Sequence, residues 1–164
     1  MMAVQTGQRQ EPEARQQCDW MREIAMAFEV CSAPTVKLAS VHQMTGGGRA
    51  HGEMTALERH GQAALLLSYV MRRSDPVCWS YWQVIAGRDF GAAQPLMQAV
   101  LAALPTGAHS VRAVMMLVEK YCGRQHGIRA ISIEAKCRKT SAFELRDHVY
   151  AALDAVHDRA VRAL

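Results

Sequence analysis

The sequence predicts an all-α fold, a helical bundle with a C-terminal helix-turn-helix. Three observations carry that reading: apolar residues recur every three or four positions over most of the 164-residue chain, cap signals precede several of those stretches, and convincing alternating runs are almost absent. Half the residues are hydrophobic, 21% are charged, and glycine and proline number only 11 and 5. Such a composition excludes a disordered, collagenous or low-complexity chain and leaves room for one packed domain, or one with a module appended.

Residues 1–13, rich in Gln and ending Glu11-Pro12-Glu13, are expected to be a flexible N-terminus leading into a helix. From Ala14 to Cys31 the apolar set Cys18, Met21, Ile24 or Ala25, Phe28 and Cys31 keeps helical spacing against Arg15, Asp19, Arg22 and Glu29. Pro34 ends that helix. Thr35 to Val41 has the brief alternation of a short strand, and Gly46-Gly47-Gly48 marks a hinge or flexible loop.

Thr55-Ala56-Leu57-Glu58 has capping-box spacing, and an Ala/Leu-rich helix follows it to Arg72-Arg73. Asp75-Pro76 restarts a short helix through Trp79, Tyr81, Trp82 and Val84 to Ile85, with proline in a tolerated first-turn position. Gly87 and Gly91 bracket a turn. Pro95 to Leu104 and Ser110 to Cys122 then carry helical spacing and end at Pro105 and Gly123.

The start, Met1-Met2-Ala3-Val4, turns polar at Gln5, so no signal-peptide core is expected. The apolar run from Ala63 to Val70 falls short of the roughly 18 residues a membrane helix needs, which points to a soluble chain with no membrane partner. Cys18, Cys31, Cys78, Cys122 and Cys137 are odd in number and form no Cys-x-x-Cys, as reduced cytoplasmic thiols do.

Charge divides the chain sharply. Residues 1–106, a neutral helical body from residue 14, hold nine Lys/Arg and nine Asp/Glu; residues 107–164 hold ten against six, so the whole net charge of +4 lies in the last third. Across the 27 residues 120–146, Lys120, Arg124, Arg129, Lys136, Arg138, Lys139 and Arg146 meet only Glu134 and Glu144. Such a segment is either a local anion-binding surface or a solvated face without a partner.

Ile128 to Cys137 makes a short helix with Ile128, Ile131 and Ala135 inward, Arg138-Lys139-Thr140 a polar break, and Ser141-Ala142-Phe143-Glu144 a second capping box. After it Leu145, Val149, Ala152, Val156, Ala160 and Ala163 step by three or four to the C-terminus. This is the layout of a helix-turn-helix, or of an ordinary helical hairpin with a basic surface. In the first case double-stranded DNA is the partner. Lys136, Arg138 and Lys139 hold phosphates, with Thr140 and Ser141 adding contacts and Arg129 on the preceding helix. Glu144, Arg146 and His148, away from Leu145 and Val149, are the candidates for base edges. The break is about three residues longer than most such turns, which tilts the second helix differently in the groove.

Arg129-Ala130-Ile131, Lys136-Cys137 and Ser141 with Leu145 and Val149 resemble the C-terminal helix-turn-helix of the Q-type antitermination proteins of lambdoid and related phages. Leu57-Glu58-Arg59-His60-Gly61-Gln62-Ala63-Ala64-Leu65-Leu66, followed by Val70 and Asp75-Pro76, is similar to a helical segment of phage regulators of that type. The likeness covers residues 54–164 and is densest in 128–153. It departs from the family in the longer Arg138 to Thr140 connection and in lacking the paired-cysteine zinc motif that some members carry. The resemblance implies a transcription regulator in the bacterial host cytoplasm. It would bind DNA near the phage late promoter and engage host RNA polymerase holding its sigma factor, so that transcription reads through terminators.

Other patterns point to no further chemistry. Cys122 and His126 lie one helical turn apart, with Cys137 beyond, but no fourth ligand is evident and Gly123 interrupts them. His42, His51 and His60 flank the glycine run, and Gly46-Gly47-Gly48-Arg49 lacks the ending of a phosphate-binding loop. Trp79, Tyr81, Trp82 and Met115-Met116 are expected in the core. No catalytic grouping, metal site or cofactor is expected, and an enzyme is not. Beside the antiterminator stand a promoter-binding repressor or activator, and a helical assembly protein that binds no DNA. The stripe of Leu145, Val149, Ala152 and Val156 serves either the monomer core or a dimer seam.

Overall fold

The computed structural model describes residues 11–33, 55–105 and 109–164. Among the described residues are seven helices and no strand: α1 Glu11–Ser32, α2 Ala56–Arg73, α3 Pro76–Ile85, α4 Gln94–Ala103, α5 Val111–Tyr121, α6 Ile128–Glu134 and α7 Lys139–Arg162. The all-α expectation holds. The short strand at Thr35 to Val41, the stop at Pro34, the Gly46-Gly47-Gly48 loop and residues 1–10 of the expected N-terminus lie outside the described residues. Helix α1 begins at Glu11, so the last residues of that terminus are helical, with Pro12 in the first turn where its missing N–H costs nothing.

Two units divide the chain, residues 1–69 and 70–164. In the first, α1 buries Ile24 and Ala27 and leaves Met21, Phe28 and Cys31 half-exposed. Helix α2 starts as its spacing predicts. The Glu58 carboxylate accepts from Thr55 N–H at 2.6 Å, and Thr55 Oγ1 accepts from Glu58 N–H at 3.1 Å, the two halves of a capping box.

In the second unit, Asp75 caps α3. One carboxylate oxygen accepts from the N–H groups of Val77 and Cys78 at 2.9 and 2.8 Å, satisfying two donors that the helix cannot pair internally. The other oxygen meets Arg159 Nε of α7 at 3.3 Å, which ties the start of α3 to the end of α7. Ser80 supplies a cap at a distance. No side chain of its own start caps α4, but the Leu96 N–H donates to Ser80 Oγ, which in turn donates to the Ala92 carbonyl.

Helix α7 is the spine of this unit and packs against α3, α4, α5 and α6. Its buried stripe is Ala142, Leu145, Val149, Leu153, Val156 and Ala160. Leu153 replaces Ala152 of the sequence expectation, and Ala152 and Ala163 are only half-buried; steps of three and four residues fit a helical turn with either residue inward. Facing it, Tyr81 and Trp82 of α3 are fully buried and cluster with His157, whose Nδ1 lies 3.0 Å from the Tyr81 hydroxyl. Burying each large apolar side chain of this kind contributes about 1.5–3 kcal/mol before entropy is counted. Trp79, by contrast, is half-exposed. No described helix is long and apolar enough to cross a membrane.

Candidate nucleic-acid interface

Helix α6 buries Ile131 and Ser132, half-buries Ile128 and Ala135, and turns Arg129, Ala130 and Ile133 outward. It ends in a left-handed turn. Lys136 sits at φ +50°, the Cys137 N–H donates to the Ser132 carbonyl at 3.0 Å, and the Lys136 N–H to Ile133 at 3.1 Å, the paired bonds of a Schellman stop. Glycine usually takes that place, because a side chain there costs energy.

The stop sends the chain straight into α7. Arg138 is extended, its carbonyl accepts from Ala142 N–H, and Lys139 is already helical. Two expectations are corrected here. Only Ala135, Lys136, Cys137 and Arg138 connect the helices, so the long connection Arg138-Lys139-Thr140 does not exist. Nor does Ser141 cap anything: Thr140 and Ser141 lie within the first turn of α7, and Glu144 stands one turn further in.

The start of α7 is well disposed toward an anion. No side chain caps it and no acid lies in its first turn, so its N–H groups and dipole are left to a ligand or water. Lys136, Arg138 and Lys139 are exposed around it, and none makes an ion pair among the described residues. Arg124 and Arg159 differ. Arg124 lies over the Phe90 ring and 3.5 Å from Glu119, and Arg159 is engaged by Asp75. Arg129 is exposed on the outward side of α6.

The three base-edge candidates do not share a face. Helical geometry sets Arg146 about 160° around α7 from His148. Arg146 is also occupied: its Nε and Nη2 donate to Asp147 at 2.8 and 2.6 Å, its guanidinium lies over the Phe143 ring, and its side chain is 31% exposed. Glu144 and His148, one turn apart, are exposed on the other side with Ser141, where they line a cleft of about 280 Å³ with His109 and Cys137. Thr140 is exposed about 40° around the helix from Glu144. Phe143 and Asp147 were absent from the sequence-based set. The signal for Phe143 was its place one turn after Lys139.

The metal candidate is not assembled. Cys122 Sγ faces the Val84 carbonyl, His126 Nε2 lies 2.6 Å from Glu119, and the two are separated by the left-handed Gly123. Among the described residues no group of three His, Cys, Asp or Glu is placed to hold a metal ion. Burial pushes the thiols of Cys78 and Cys122 up, so both favour the neutral form. Comparison with known proteins returns no matching family model, no matching curated protein and no matching solved structure.

Proposed function

We propose that this protein is a double-stranded-DNA-binding transcription regulator whose α6–turn–α7 unit acts as a helix-turn-helix. The observation that carries the reading is the cluster of Lys136, Arg138 and Lys139, unpaired among the described residues, around the uncapped and acid-free start of a 24-residue helix. A four-residue turn is the usual length for such a unit. Lys136, Arg138, Lys139 and the first N–H groups of α7, with Thr140 and Ser141, grip phosphates and set the register. Base edges fall to Glu144, with His148 beside it, Glu144 accepting from cytosine. Arg146 reaches a base only by leaving Asp147.

Within this reading, the resemblance of residues 128–153 to the Q-type antitermination proteins supplies the regulatory class. The protein acts in the bacterial host cytoplasm on RNA polymerase holding its sigma factor near a late promoter. Transcription in vitro tests it, from a template carrying the cognate late promoter and a downstream terminator. Increased readthrough on adding the protein is expected. An effect confined to initiation replaces antitermination with promoter control, and no binding of duplex DNA in any sequence overturns the DNA reading in favour of an assembly role.

A further inference from the structure

One flank of α7 carries a pattern that duplex reading leaves unused. Lys139, Phe143, Arg146 and Tyr150 follow one another at steps of four, three and four residues, within about 60° of helix surface. Phe143 is 37% exposed, large for a phenyl ring on a helix whose other face is buried. The Arg146 guanidinium lies 5.1 Å from its centroid and fixes the ring from one side. A turn further along, Tyr150 meets Tyr121 of α5 edge-to-face at 5.2 Å. The Tyr121 hydroxyl donates to Asp154 at 2.7 Å, which holds that second aromatic platform in place.

We propose that this flank is a stacking surface for single-stranded nucleic acid. Bases lie on Phe143 and against the Tyr150 edge, with Lys139 and Arg146 beside the strand. The chemistry favours that ligand over an apolar protein segment, because rings alternate with cations at one-turn spacing and are not joined into an apolar stripe. Phe143 and Tyr150 are about 10 Å apart along the axis, a distance that about three stacked nucleotides span. Asp147 offsets the charge of Arg146, so the row is only weakly positive. Stacking therefore supplies most of the affinity, and the salt dependence is shallow. The flank begins at Lys139, which the duplex reading also uses, but the inference stands on Phe143 and Arg146 and does not require duplex binding.

The test is fluorescence anisotropy of a labelled oligothymidine of fifteen nucleotides with the full chain, run in parallel with a labelled duplex. Wild type is expected to bind the single strand with a log–log salt slope shallower than for the duplex. Phe143→Leu, which keeps apolar bulk and removes the π face, weakens single-strand binding about tenfold and leaves duplex binding within twofold. Phe143→Trp keeps or raises single-strand affinity, and it stands in should the leucine variant fail to fold. Absence of oligothymidine binding, equal binding by Phe143→Leu and wild type, or a loss with Phe143→Trp overturns the inference. Phe143-dependent single-strand binding without duplex binding sinks only the duplex reading; the reverse result sinks only this one.

Discussion

Lys136 holds, at φ +50°, the place after α6 that Gly123 holds, at φ +89°, after α5. The bonds match: Arg124 N–H to Glu119 and Gly123 N–H to Lys120 in one stop, Cys137 N–H to Ser132 and Lys136 N–H to Ile133 in the other. A lysine in a left-handed position costs roughly 1–2 kcal/mol of local strain, part of which glycine would return as unfolded-state entropy. Strain at a site is a reason to look for function there.

Lys136→Gly is therefore expected to stabilise the protein by about 0.5 kcal/mol while weakening duplex binding. Gly123→Ala is expected to destabilise it by about 1 kcal/mol, purely through backbone conformation, since an added Cβ would meet nothing within 4 Å. Urea denaturation of both variants checks the pair. A destabilised Lys136→Gly would show that the side chain contributes packing that outweighs the strain.

Asp75 predicts an acid-sensitive joint between α3 and α7. The Cys78 N–H first, then the Cys78 thiol and Arg159, hold its carboxyl below the usual carboxylate value against the opposing effect of burial. A lowered folded pKa contributes stability that is present above the unfolded value of about 3.9 and lost as pH falls through the folded one. Asp75→Ala should cost about 1 kcal/mol at neutral pH through the lost cap. Asp75→Asn should keep much of the cap and remove that share of the acid sensitivity. Thermal melts from pH 7 to pH 2 read both, and an unchanged pH profile for Asp75→Asn would contradict the assignment.

Tyr81 and Tyr121 predict the alkaline limit. Burial, first of all, pushes both hydroxyls above their ordinary range near pH 10, and the bond from Tyr121 to Asp154 adds to it. The unfolded chain releases these protons near pH 10 while the folded chain keeps them, so stability falls as pH rises past about 10. Absorbance at 295 nm should show both rings ionising only with unfolding, assigned through Tyr81→Phe and Tyr121→Phe. Ionisation at the ordinary value with the far-ultraviolet helix signal intact would refute it.

The bundle was legible where a local signal acts alone. Thr55 with Glu58, Asp75 with Pro76, Ser110 and Gly123 each satisfy or free backbone groups within a few residues, and each marks a helix end in the structure. Ser141 with Glu144 shows the limit of such signals. Its spacing equals that of Thr55 with Glu58, yet the Schellman turn at Lys136 starts α7 at Lys139 and places Ser141 inside the helix. The engagement of Arg146 by Asp147 was illegible for a related reason. Adjacent residues on a helix do not ordinarily face one another, so the pair with Asp147 has no sequence signature. The cations of the turn were legible as part of a charge run; that Arg124 and Arg159 are engaged elsewhere depends on Glu119, Phe90 and Asp75, brought in by tertiary packing.

The central claim, that the turn and the start of α7 grip the DNA backbone, is tested most directly by the salt dependence of duplex binding for wild type and the double variant Arg138→Ala, Lys139→Ala. Removing one cation from a phosphate lowers the log–log slope by about 0.9. The account predicts a slope shallower by about one to two units and weaker binding across unrelated duplex sequences. An unchanged slope and affinity in a variant that folds normally would contradict it.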